Sequence, residues 1–123
     1  MKSYDDLTAV SKSARVAVDR AALVAISCGK LSVERELIAL FRRLNDKDIA
    51  ALQLAVSEGD APSAVVASHR ISGAGRMIGA IGLAEACERI ESAGRASDLS
   101  GLRVNMAELQ LEVERVNACL DLM

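Results

Sequence analysis

The sequence predicts an all-α fold, a bundle of about five helices, and three observations carry that expectation. Hydrophobic residues make up 51% of the 123 positions but aromatic ones only 2%. The apolar content is therefore mostly Ala, Leu, Val and Ile, side chains small enough for helices to approach closely. These residues recur in three- and four-residue steps, the spacing of one helical face. Short Gly, Asp and Pro signals separate the periodic stretches, with no low-complexity linker between them. One domain over residues 1–123 is expected, long enough to bury a core without a disulfide or a metal.

The elements follow in order. The N-terminal segment carries a weak pattern through Leu7, Val10, Ala14, Ala17, Ala21 and Val24. After Cys28-Gly29 a long helix is predicted, with Ser32 as candidate cap and Leu37, Leu40, Phe41, Leu44, Ile49, Leu52 and Val56 as its apolar face. It should stop at Glu58-Gly59, because glycine suits a helix end. Asp60 followed by Pro62 signals a new start, since proline is tolerated in a first turn. That third helix should run to about Gly79 or Ala80 and bury Ala64, Ala67, Ile71, Ala74 and Ile78. Leu83, Cys87, Ile90 and Gly94 trace a shorter fourth helix. Asp98 then caps a fifth, whose stripe is Leu99, Leu102, Met106, Leu109, Val113, Val116 and Leu120.

Composition excludes several functions. A net charge of −2 gives no basic footprint for nucleic acid, and the near absence of aromatics leaves no platform on which bases could stack. No run approaches the ~18 apolar residues of a membrane span, and the N-terminal stretch lacks the apolar centre of a signal peptide. A cytoplasmic protein without direct membrane contact is expected, free or as part of a membrane-anchored parent. The three cysteines, Cys28, Cys87 and Cys119, have no C-x-x-C spacing and read as small core residues in a reducing compartment.

The informative stretch is SHRISGAGRMIGAIG, Ser68 to Gly82, which holds the single histidine of the chain. At about 100° per residue His69 lies opposite the stripe from Ala64 to Ile78 and so faces solvent. Its helical neighbours are Val65, Val66, Ser72, Gly73 and Arg76, most of them small. A glycine inside a helix costs about 1 kcal/mol relative to alanine. Close helix packing explains Gly75 and Gly79. It does not explain Gly73, one turn after His69 on the solvent side, where clearance around the imidazole for an approaching protein is the better account. Other chemistries fail on simpler grounds. The glycines lack dinucleotide-fingerprint spacing and a preceding strand. Zinc would need ligands beyond one histidine, and no activated thiol is expected beside the ring.

His69-Arg70-Ile71-Ser72-Gly73, with Gly79 completing the pattern, resembles the H-x-x-K-G-x-x-x-x-x-G motif of the histidine phosphotransfer (HPt) domain family. The following LAEACERIESAGRASDLSGL is similar to that family's next helix, written L-x-x-x-C-x-x-L-E. The preceding FRRLNDKDIAALQLAVSEGD resembles the helix before it, down to the terminal Gly-Asp. The likeness runs from about Leu31 to Leu120 and is strongest with the modules at the ends of hybrid sensor kinases.

The resemblance implies an antiparallel four-helix bundle over residues 31–120, with an additional N-terminal helical segment in residues 1–30. It also implies that a monomer accepts a phosphoryl group on His69 from an aspartate in a receiver domain of a hybrid sensor kinase and passes it to a response regulator. Mg²⁺ would belong to the receiver, leaving this chain without a cofactor or metal of its own. Val65, Val66, Arg70 and Gly73 would then form the docking surface. At one position the chain departs from the family: the usual lysine is Ser72. A hydroxyl can hydrogen-bond a phosphoryl oxygen, but more weakly than a cation does. Arg76, two turns after His69, is the candidate replacement for the charge, and Arg70 points sideways. The competing expectation is a helical adaptor that docks receivers without efficient transfer.

Overall fold

The structure is a computed structural model that describes residues 16–123. These form five helices: α1 (Arg20–Ser27), α2 (Leu31–Glu58), α3 (Ala61–Met77), α4 (Ile81–Arg95) and α5 (Leu99–Asp121). Leu7, Val10 and Ala14 lie outside the described residues.

Two aspartates set the turns between the long helices. The backbone N–H of Asp60 donates to the carbonyl of Ala55 at 2.8 Å, closing α2 beyond the left-handed Gly59 (φ 68°). The same residue opens α3, its carboxylate accepting from the Ser63 N–H at 3.2 Å and from the Ser63 hydroxyl at 2.6 Å. Asp98 repeats the device: its N–H donates to Ala93 at 2.9 Å and its carboxylate accepts from the Gly101 N–H at 2.9 Å. Links of two or three residues turn each helix back antiparallel to the last, and α5 returns against α2 to close the bundle.

The expected stripes of α3, α4 and most of α5 form the core. Ala64, Ala67, Ile71 and Ile78 pack with Leu83, Cys87, Ile90, Leu102, Leu109, Val116 and Leu120, and α2 adds Phe41, Leu52 and Val56. Several expectations need correction. Ser32 caps nothing: α2 begins at Leu31 without a side-chain cap, its entry set by the turn through Cys28 (φ 53°) and Gly29 (φ 74°). Leu40 and Leu44 are exposed, because the buried arc of α2 swings instead through Glu34, Asn45 and Ala55, and Leu99, the first residue of α5, is exposed as well. In α1 the buried residues are Leu23 and Ser27, whereas Ala21 and Val24 face outward. Cys28 is exposed at the left-handed end of α1, and of the three cysteines only Cys87 is fully buried.

α1 lies across α2 and α3. The Arg20 guanidinium pairs with the buried Glu34 carboxylate at 3.0 Å, and the Asp19 N–H donates to the Gly79 carbonyl at 3.1 Å. No helix among the described residues is long and apolar enough to cross a membrane.

Candidate functional site

His69 is the central residue of the seventeen in α3, and its side chain is 74% exposed. Asp60 and Pro62 fix where the helix starts, which sets the rotation of everything after it. The Ala64 to Ile78 stripe then turns the imidazole outward.

A second stripe of small residues decides what surrounds the ring. Ala61, Ala64, Ser68, Ser72 and Gly75 are all buried. A Cβ on Gly75 would lie 3.5 Å from the Leu83 side chain and 3.8 Å from the Ala84 nitrogen, and one on Gly94 only 2.7 Å from Val65 Cγ2. α4 therefore runs close along α3 on the flank of His69, and carboxylates from α4 reach the α3 edge. Glu91 Oε1 lies 3.3 Å from His69 Nδ1, and Glu88 takes the Arg76 guanidinium through Nε and Nη2. The two acids are three residues apart on α4 and their partners seven apart on α3, so the antiparallel helices are bridged by two rungs along one seam.

The Glu91 carboxylate is 14% exposed, and its Oε1 also accepts from Arg95 Nη2 at 2.7 Å. That hydrogen bond, with the nearby imidazole, holds the Glu91 carboxyl below its ordinary value of 4.5 against the opposing effect of burial. Glu88 holds the Arg76 guanidinium firmly charged, above its ordinary range.

Two of the residues expected around the histidine differ from expectation. Ser72 is only 6% exposed, turned into the α3–α4 contact where its small size is needed. Arg76 is exposed but committed to Glu88. Val65 is half-buried over Gly94, while Val66, Arg70 and Gly73 are exposed. Nothing lies within 4 Å of a Cβ built on Gly73, so the surface beside the imidazole is open. On the other side of α3, Ala51, Pro62, Ser63, Val66, Ala67 and Arg70 line a shallow groove between α2 and α3. The sequence reading missed Glu91 and Arg95. Their signal was the acidic-basic spacing E-x-x-x-R on the neighbouring helix, but only the pairing of α3 with α4 shows which residue it faces.

Among the described residues no group of His, Cys, Asp and Glu side chains is arranged to hold a metal ion. Cys87 is buried, and burial together with the Glu88 and Glu91 carboxylates pushes its thiol up to about 12, so it is no nucleophile at neutral pH.

A family model described as "Hpt domain" matches residues 36–119, which run from the second turn of α2 into the last turn of α5. No curated protein and no solved structure matches the chain.

Proposed function

The chain belongs to the Hpt domain family, whose members carry out histidine phosphotransfer in phosphorelays, and from that premise we propose that His69 carries a phosphoryl group between receiver-domain aspartates. The observation that carries the assignment to this residue is its setting: the single histidine of the chain stands at the centre of α3, exposed, with open space at Gly73 one turn away.

The chemistry follows from the ring's two nitrogens. Nδ1 faces an ionised carboxylate, which accepts hydrogen bonds and donates none, so the ring proton belongs on Nδ1 and the lone pair stays on Nε2. In the accepting step the Nε2 lone pair attacks the phosphorus of an aspartyl phosphate. The N–P bond forms as the P–O bond breaks, and the bonding pair leaves with the receiver's carboxylate. In the donating step a second aspartate oxygen attacks phosphorus and the N–P electrons return to Nε2. Transfer of this kind depends on alignment and charge stabilisation rather than on a strong base. The Mg²⁺ that supplies most of that stabilisation is assigned to the receiver.

The receiver docks over His69, using Val66, Arg70, Gly73, the rim at Val65 and the adjacent face of α2. In this reading the protein works in the cytoplasm, as a free carrier or as part of a hybrid sensor kinase. The adaptor reading draws support from Ser72 and Arg76, since neither offers the phosphoryl group a free cation. Incubation with a phosphorylated receiver separates the two. Label appearing on the protein, stable to base, labile to acid and absent from His69→Gln, is the expected result. A protein that binds the receiver and acquires no label is an adaptor.

A further inference from the structure

With Ser72 buried and Arg76 held by Glu88, the question is which cation serves a phosphoryl group on His69. The seam between α3 and α4 answers it. Oε1 of Glu91 is shared: it lies 3.3 Å from His69 Nδ1 and 2.7 Å from Arg95 Nη2. The guanidinium is thus one oxygen atom away from the imidazole. The three groups differ in freedom, Glu91 being 14% exposed and Arg95 66%. The acid is the fixed member of the pair, and the arginine is a long side chain free to move over the ring.

We infer that Arg95 is the cation that balances the phosphoryl charge on His69, held beside the ring by Glu91 until that charge arrives. The inference rests on the proposed phosphotransfer at His69. A phosphoryl group on Nε2, across the ring from Glu91, adds negative charge on the same exposed face as that carboxylate, a repulsion that an unpaired acid would impose in full. Arg95 offsets it where it sits. It also has donors left over, because a guanidinium carries five N–H groups and the contact with Oε1 uses one. A fork that spans a carboxylate and a phosphoryl oxygen needs only a rotamer change at an exposed side chain. Arg70 is the other exposed cation nearby, but its side chain lines the α2–α3 groove on the far side of α3. Arg76 would have to abandon two contacts to Glu88.

The test makes the phosphohistidine without any receiver. With phosphoramidate the Nε2 lone pair attacks phosphorus, the N–P bond to the ring forms, and the donor's own P–N bond breaks to release ammonia. The lifetime of the product is then followed by ³¹P NMR in the intact protein, in Arg95→Ala, Arg95→Lys and Arg76→Ala. Loss of Arg95 should shorten the lifetime about five- to tenfold and displace the ³¹P resonance. Arg95→Lys should restore most of the lifetime, because it returns the charge, and Arg76→Ala should stay within about twofold of the parent. A resonance and lifetime unchanged in Arg95→Ala, or a loss that appears in Arg76→Ala instead, overturns the inference. Receiver-dependent labelling plays no part in this measurement, so a failed relay assay and a failed role for Arg95 are distinguishable.

Discussion

The backbone N–H of Asp19 donates to the carbonyl of Gly79 at 3.1 Å, and the two residues meet so closely that a Cβ on Gly79 would lie 2.6 Å from the Asp19 Cβ. Gly79 also has φ 73°, in the left-handed region that ends α3. A side chain there is excluded twice, by conformation and by contact. Gly79→Ala is therefore expected to cost about 2 kcal/mol or more. The loss should fall on the docking of α1, read as a lower thermal midpoint and faster amide exchange in residues 20–27. An alanine variant as stable as the parent would show that α1 does not depend on this contact.

Ser72 is the residue expected beside a phosphoryl oxygen, and it is only 6% exposed, on the stripe of α3 that packs against α4. Ser72→Ala should leave transfer within about twofold, since the residue is only 6% exposed. Ser72→Leu should behave differently, forcing α3 from α4 at a cost typical of overpacking, about 1–3 kcal/mol. The two variants compared by labelling and thermal melting decide between a site role and a packing role. A large loss of transfer in Ser72→Ala with an unchanged melt would return Ser72 to the site.

These cases mark what was legible in the sequence. Helix order and the buried stripe of α3 followed from spacing and from Asp60, Pro62 and Asp98, because caps and periodicity are local properties. The outward turn of His69 followed from the same arithmetic. What was not legible depended on which helix lies beside which. Ser72 reads as polar, and so as exposed, until α4 is laid along Ser68, Ser72 and Gly75. Arg76 reads as a free cation until Glu88 arrives from another helix. Glu91 and Arg95 look like an ordinary i, i+4 surface pair until His69 is found across the seam. Leu40 and Leu44 failed for a related reason: with Ile26, Phe41, Met77 and Ile78 they line an apolar groove near α1 instead of the bundle centre.

Cysteine reactivity should separate by position. Cys28 is exposed, whereas the Cys87 thiol is buried and pushed up from 9.0 to about 12. A thiol-alkylating reagent at neutral pH should modify Cys28 first and reach Cys87 only on unfolding, as read by mass spectrometry of proteolytic peptides. The same shift fixes the sign of a pH effect. A folded thiol that resists ionisation contributes stability that is fully present below pH 9.0, the ordinary value, and lost as the pH rises toward about 12. Denaturant midpoints measured from about pH 8, where an unperturbed thiol begins to ionise, up to about pH 11, still below the folded value of about 12, should fall with rising pH, and Cys87→Ala should flatten that slope while lowering stability throughout. Equal slopes in both proteins would remove Cys87 as the cause.

Gly73 offers the sharpest test of the open face, because stability and function should move in opposite directions there. It lies in the fourth turn of a regular helix, and nothing stands within 4 Å of an added Cβ, so no contact inside the protein requires a glycine. Removing it should stabilise the helix by about 0.5–1 kcal/mol, as an exposed interior glycine replaced by alanine does. Gly73→Ala is thus expected to melt a few degrees higher with a modest loss of transfer. Gly73→Leu should melt at or above the parent, since leucine is also a good helix former, yet fill the space one turn from the imidazole and reduce transfer from a phosphorylated receiver by tenfold or more, an effect of roughly 1.4 kcal/mol on the barrier. Phosphoramidate is small enough to pass such a side chain, so chemical labelling of His69 in Gly73→Leu should proceed near the parental rate. Slow receiver transfer with normal chemical labelling locates the defect in docking. If leucine at this position transfers phosphate at the parental rate, clearance beside the histidine is not why the helix carries a glycine there.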